Sequence, residues 1–262
     1  MSVEALLEVA AFGDQPGRWP LPAAATPRQL WLRAVAAGGQ GRYGSASADL
    51  VALRRAARSG LLASLAHSTQ ASFLRQLGGH AAARSWDGRA AALAGADVQA
   101  GVDALLGLAA DALGVGRFAA SAALLDRAHA RLHASASADR LPIRWQWVAA
   151  ELAMARGEGV AAVRHAERAV ELAAVQPSLR HRAKSEVVHA AALCASGRLD
   201  QACSVAENAL LTTGKLGLIP LRWAVASLLV DISSDTGAAT EVAAIRDACA
   251  ETVRRAGGVW RR

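Results

Sequence analysis

The chain has 262 residues, 53% hydrophobic but only 4% aromatic, and about a quarter of it is alanine, the best helix former and a poor strand former. That length buries a core without disulfide or metal staples, and the composition predicts an all-α chain. A net charge of +7 and a pI near 10.5 permit acidic partners, while the longest stretch free of formal charge, Ser59 to Leu74, has sixteen residues and carries Ser64, His67, Ser68, Thr69, Gln70 and Ser72, too short and too polar to span a bilayer.

The first twelve residues predict a short helix with Ser2 as N-cap. Glu4 and Glu8 stand where a secretory signal would be basic, so a cytoplasmic location is expected. Gly13 to Ala25 is a Pro/Gly-rich connector containing Trp19, and residues 1–26 are read as a capping segment ahead of the main domain. Thr26-Pro27 with Gln29 then has the form of an N-cap, a proline in the first turn and a capping-box partner. Pro142, Pro177 and Pro220 are expected at the same place in later helices.

From there a short turn recurs, a glycine followed by a polar or bulky residue, with alanine or serine five positions behind the glycine. The turns open at Gly41, Gly78, Gly116, Gly157 and Gly197, and the small residues are Ala46, Ala83, Ser121, Ala162 and Ala202. Glycine to glycine, the steps are 37, 38, 41 and 40, and a further step of 37 reaches Ser234 with Ala239 behind it. Apolar residues recur at helical spacing on both sides of each turn, so each unit predicts two amphipathic helices stopped by the glycine. Six units fill residues 27–257, and 258–262 remain as a short basic tail. Ala134 to Arg140 is the longest internal loop between units.

The third unit carries Leu105, Leu108, Ala109, Ala112, Gly116, Phe118, Ser121, Leu125 and Ala128, and the fifth His189, Ala190, Leu193, Gly197, Leu199, Ala202, Ala206 and Ala209. This large and small pattern resembles tetratricopeptide (TPR-like) repeats, in the longer, degenerate form of bacterial regulators. The period of about 38 exceeds the 34 of the family consensus, and most units lack its tryptophan and tyrosine. The resemblance implies a right-handed α-solenoid of about six antiparallel helix pairs, with the first helices lining a concave face.

Motifs that carry chemistry are absent from the sequence. There is no GxSxG elbow, HExxH pair, GxGxxG fingerprint or EF-hand loop, and Thr213-Gly214-Lys215-Leu216 lacks the upstream glycine and following Ser/Thr of a phosphate loop. His129 and His133 with Asp126 share one helix face, and are read as solvated surface before a metal site. Cys194, Cys203 and Cys249 have no metal-ligand spacing and are read as buried thiols, the first two on neighbouring helices. No cofactor and no enzymatic activity are expected.

The resemblance places Arg28, Trp31, Ser72, Arg75, Arg144, Trp147, Glu151, Arg180, Arg182 and Lys184 on or beside the peptide-binding groove. Trp31 and Trp147 serve either that groove or core packing; Trp86, Trp145 and Trp223 read as core. Positive charge at Arg144, Arg180, Arg182 and Lys184 opposes the helix dipole, which suggests an acidic ligand. The expected function is a non-enzymatic adaptor or regulatory scaffold that binds an acidic, extended segment of another protein. The alternatives are a nucleic-acid-associated protein, for which arginines scattered among acids argue poorly, and a small-molecule sensor with a ligand between Trp147, Glu151 and the fifth unit.

Overall fold

The computed structural model describes residues 1–133, 140–232 and 236–261. Among them are thirteen α-helices and no strand: α1 Val3–Phe12, α2 Pro27–Gly39, α3 Tyr43–Ala56, α4 Gly60–Gln76, α5 His80–Leu93, α6 Val98–Gly114, α7 Phe118–His133, α8 Leu141–Ala155, α9 Gly159–Ala174, α10 Leu179–Ala195, α11 Leu199–Lys215, α12 Ile219–Ile232 and α13 Thr236–Arg255. No described helix is long and apolar enough to cross a membrane.

The expected starts are built as read. Ser2 accepts from the Ala5 amide, and Thr26 and Gln29 form a reciprocal capping box with Pro27 in the first turn. Pro142 and Pro220 stand at the second position of α8 and α12, but Pro177 lies outside α10, one residue before the cap Ser178. There Ser178 itself caps, accepting from the His181 amide, and the proline sets the approach.

Five turns share one geometry. Gly41, Gly78, Gly116, Gly157 and Gly197 have φ between +74° and +85°, and the next residue donates its amide five residues back, as Arg42 does to Ala37 (2.9 Å) and Arg117 to Ala112 (2.8 Å). This Schellman arrangement satisfies carbonyls at the end of one helix, and the carbonyl of that same next residue accepts the first bond of the following helix. The donor of that first bond is in each case the small residue of the motif. Ala46, Ala83, Ser121, Ala162 and Ala202 are all 0% exposed, because the first turn of each second helix lies against its neighbours with no room for more than a methyl or hydroxymethyl group. Ser234 falls outside the described residues, and so do 134–139 of the expected internal loop.

Consecutive helices are neighbours, and α2, α4, α6, α8, α10 and α12 also touch one another in that order. They form an inner layer, with α3, α5, α7, α9, α11 and α13 outside it. The ends of the chain meet. The Gly44 amide donates to Ala256 O (2.8 Å) and the Arg261 amide to Leu77 O (2.7 Å), while Val253 joins the core of Leu32, Leu50 and Phe73. Residues 258–261, expected as a short basic tail, instead fold back: Arg261 reaches the turn between α4 and α5, and Trp260 packs on Trp223 of α12 with ring centroids 4.3 Å apart. A Cβ on Gly78 would stand 2.5 Å from Arg261 O, so the close approach requires glycine there.

The connector is also held. Gln40 donates to Pro16 O and Arg18 O, Arg42 lies 3.8 Å over the Trp19 ring, and the Leu179 amide donates to Gly13 O. Helix α1 thereby spans from α2 to α10, burying Leu7, Ala10 and Ala11.

Candidate functional site

Inside the inner layer lies a cavity of about 810 Å³. Its wall takes residues from all six inner helices and Phe12 from α1. Of the ten residues expected at the groove, Trp31, Ser72, Arg75, Arg144, Trp147, Glu151, Arg180 and Lys184 line this one space.

Arg28 and Arg182 do not. Arg28 is half exposed and pairs with Glu4 (2.8 Å) and Glu8 (3.1 Å), because α1 lies against the first turn of α2. Arg182 folds back onto the loop before its own helix and donates to Gln176 O and Ala173 O, where it satisfies the end of α9.

The cations inside are mostly matched. Arg140 donates to both oxygens of Asp103 (3.3 and 2.5 Å) and Arg144 pairs with the same carboxylate, which is 2% exposed. Lys184 pairs with Glu151 at 3.0 Å and lies 5.7 Å over the Trp147 ring. Arg140 sits over Phe12 and Trp31, 5.6 and 5.9 Å from their centroids. Charge at the start of α8 is thus answered by Asp103 of α6, and Lys184 of α10 by Glu151 of α8.

Arg180 is the exception. It has no ion pair and no hydrogen bond among the described residues, although its stem packs against Gly39 and its head is close enough to Arg140, Arg144 and Tyr43 to interact with their charges. Burial first, then Arg140, push its pKa down to about 10, so it stays protonated at neutral pH. The next residue, His181, is held well below its usual pKa by burial and then by Arg180, Arg140 and Arg144, and is neutral. Its ring stacks on Trp147 (5.3 Å, 23°), and Ser178 Oγ lies 2.7 Å from its Nδ1.

Trp31 and Trp147 therefore have both roles the sequence left open. Each lines the cavity, and each indole N–H is satisfied, on Thr69 Oγ1 (3.1 Å) and Ser185 Oγ (2.9 Å). Trp86 and Trp145 are half-buried against other helices, whereas Trp223, read as core, faces the cavity.

Arg75 differs from the other cations in being closed off. It pairs with Asp87 from α5 and with Asp111 from α6 (2.9 Å), and both acids are 0% exposed. Burial raises both carboxyls; Arg75 opposes that, and repulsion by Asp111 adds to it at Asp87, which reaches about 7.

Sequence reasoning missed Phe12, Asp103, Arg140, His181 and Trp223. Asp103 and Asp111 had a readable signal: an acid isolated in the apolar run Val98–Gly114 is buried and therefore needs a cation. Phe12 and Trp223 had none, since Phe12 enters through the docking of α1 between α2 and α10 and Trp223 through the packing of Trp260 at the meeting of the chain's ends. The rings of His129 and His133 pack together beside Trp145, and no group of three or more His, Cys, Asp or Glu suited to a metal occurs among the described residues. Cys194 and Cys203 are half-buried, not buried; only Cys249 is enclosed. The sequence matches no family model and no curated protein.

Proposed function

We propose that this chain is a non-enzymatic regulatory module that holds a compact acidic ligand inside a TPR-like, right-handed array of six helix pairs. The observation that carries the reading is Arg180: a guanidinium lining the cavity, beside two other arginines, with no acid of its own among the described residues. Every other cation of the cavity has a carboxylate from the chain. An unmatched cation there costs stability unless something outside the chain answers it. The recurring turn, the buried small residue behind it and the alternation of inner and outer helices support the repeat reading.

The acidic, extended protein segment expected from the sequence suits the charge. It suits the shape less well, since an extended strand needs an open groove and here Gly44 meets Ala256 and Leu77 meets Arg261. A volume of about 810 Å³ is that of a small-molecule pocket. Native mass spectrometry of the chain purified from its own cells tests the reading. The expected result is an adduct below about 1 kDa, in the size range of small-molecule ligands, that is lost in Arg180→Met. An acidic polypeptide recovered in its place returns the scaffold reading.

A further inference from the structure

The distribution of residues along the cavity specifies the ligand beyond its charge. Asp103 and Arg144 pair across the early turns of α6 and α8. The far ends of the same two helices are also close, because Arg156 after α8 donates to Phe118 O just beyond α6. The helices therefore run side by side in one direction. From Asp103 to Leu113, and from Arg144 to Met154, is ten residues, a rise of about 15 Å. One end of the chamber holds Arg140, Arg144 and Arg180 with the Trp147 and His181 stack. The wall that runs away from it on α6 and α8 holds Leu106, Ala110, Leu113, Val148, Met154 and Ala155; past Glu151 these two helices add no lining charge, and Arg75, which lines the cavity from α4 at that level, is already answered by Asp87 and Asp111.

We infer that the ligand is an amphipathic organic anion, with one carboxylate or phosphate seated on the free fork of Arg180 and an apolar body laid along the α6 and α8 wall. This rests on the reading of the cavity as a binding site. A guanidinium fork matches either oxyanion through two parallel bonds, so the head is defined by charge and geometry. A small polar anion would leave the apolar wall uncovered. A cation would meet three arginines, and a neutral apolar molecule would leave Arg180 unanswered.

Titration of the full chain with dodecanoate below its micelle concentration, followed by tryptophan fluorescence and by thermal midpoint, tests the assignment. Trp31, Trp147 and Trp223 in the wall supply the signal. Dodecanoate is expected to bind one to one and raise the midpoint, whereas acetate, dodecan-1-ol and dodecyltrimethylammonium do neither. Arg180→Met is expected to lose about tenfold or more in affinity, with Arg180→Lys in between, both with parental circular dichroism. Leu113→Gln is expected to weaken dodecanoate and leave dodecyl phosphate equally weakened, since both use the same wall. Inorganic phosphate or acetate binding through Arg180 as tightly as dodecanoate overturns the apolar body and keeps the anion site. Equal affinity of parent and Arg180→Met for dodecanoate overturns the head assignment. Failure of every anion to bind removes the cavity reading itself.

Discussion

Asp103, on α6, accepts from Arg140 and Arg144 together, so a single buried carboxylate joins the segment before α8 to the helix itself. Removing it strands two cations in a space that also holds Arg180. Asp103→Asn is expected to cost about 3 kcal/mol or more in urea unfolding, in the range for a buried pair broken on one side. Arg28→Ala, which breaks two half-exposed pairs to α1, is expected to cost no more than about 1 kcal/mol. Similar losses for both would mean that Asp103 is not the keystone of the cationic end.

The small residue behind each turn supports a sharper test at Ser121. Its hydroxyl is wholly buried and has no hydrogen-bond partner among the described residues, so Ser121→Ala is expected to be neutral or to stabilise by up to about 1 kcal/mol. Ala162→Val at the matching position overfills the contact and is expected to destabilise by about 1–3 kcal/mol. Val160→Leu, two residues earlier and 87% exposed, serves as the silent control.

Stability against pH separates two buried groups of opposite sign. Asp87 is raised to about 7, above the roughly 3.9 of an unfolded aspartate, so its contribution is full below about pH 4 and is lost as pH rises through 7. His181 is depressed below its unfolded value near 6.5, so its contribution is full above about pH 6.5 and is lost as pH falls. His67 and His165 are depressed in the same direction by burial. Between about pH 4 and 6.5 the two slopes oppose each other. Asp87→Asn removes one of them, so thermal unfolding of the variant is expected to show stability climbing more steeply with pH across that window than in the parent. Parallel profiles would mean that Asp87 is ionised throughout.

At the junction of the chain's ends, Trp260→Ala takes away the ring packed at a tilt on Trp223. It is expected to cost about 1–3 kcal/mol and to raise amide exchange in α2 and α3, far from the substitution in sequence, as well as in α13. Exchange changes confined to α13 would show that the ends are not coupled.

The helices were legible because their signals are local. The residues of the capping box at Thr26, and in each recurring turn the glycine and the small residue five positions behind it, lie within a few positions of one another, where periodicity and turn chemistry operate. Eight of the ten expected groove residues line one space for a related reason: helical periodicity decides which face of α2, α4, α8 or α10 a residue takes. Arg28 and Arg182 were misplaced because their partners, Glu4, Glu8 and the end of α9, are set by how neighbouring segments dock. The meeting of α2 and α3 with α13 depends on curvature summed over every inter-helix contact, and no single window of residues carries that sum.

A linear stack of helix pairs frays from its ends, since each outermost pair has one neighbour fewer than the rest. In this chain the last pair leans on the first, and the bonds from Gly44 to Ala256 and from Arg261 to Leu77 span most of the sequence. Loop-closure entropy makes such contacts slow to form, so helix pairs can assemble locally before the ends find each other. Once the junction is made, the last helix pair is tied to the first by these bonds and by Val253 in the core of Leu32, Leu50 and Phe73. Unfolding should then follow a single cooperative transition across residues 27–261, with the seam between α3 and α13 as the last structure gained and the first lost.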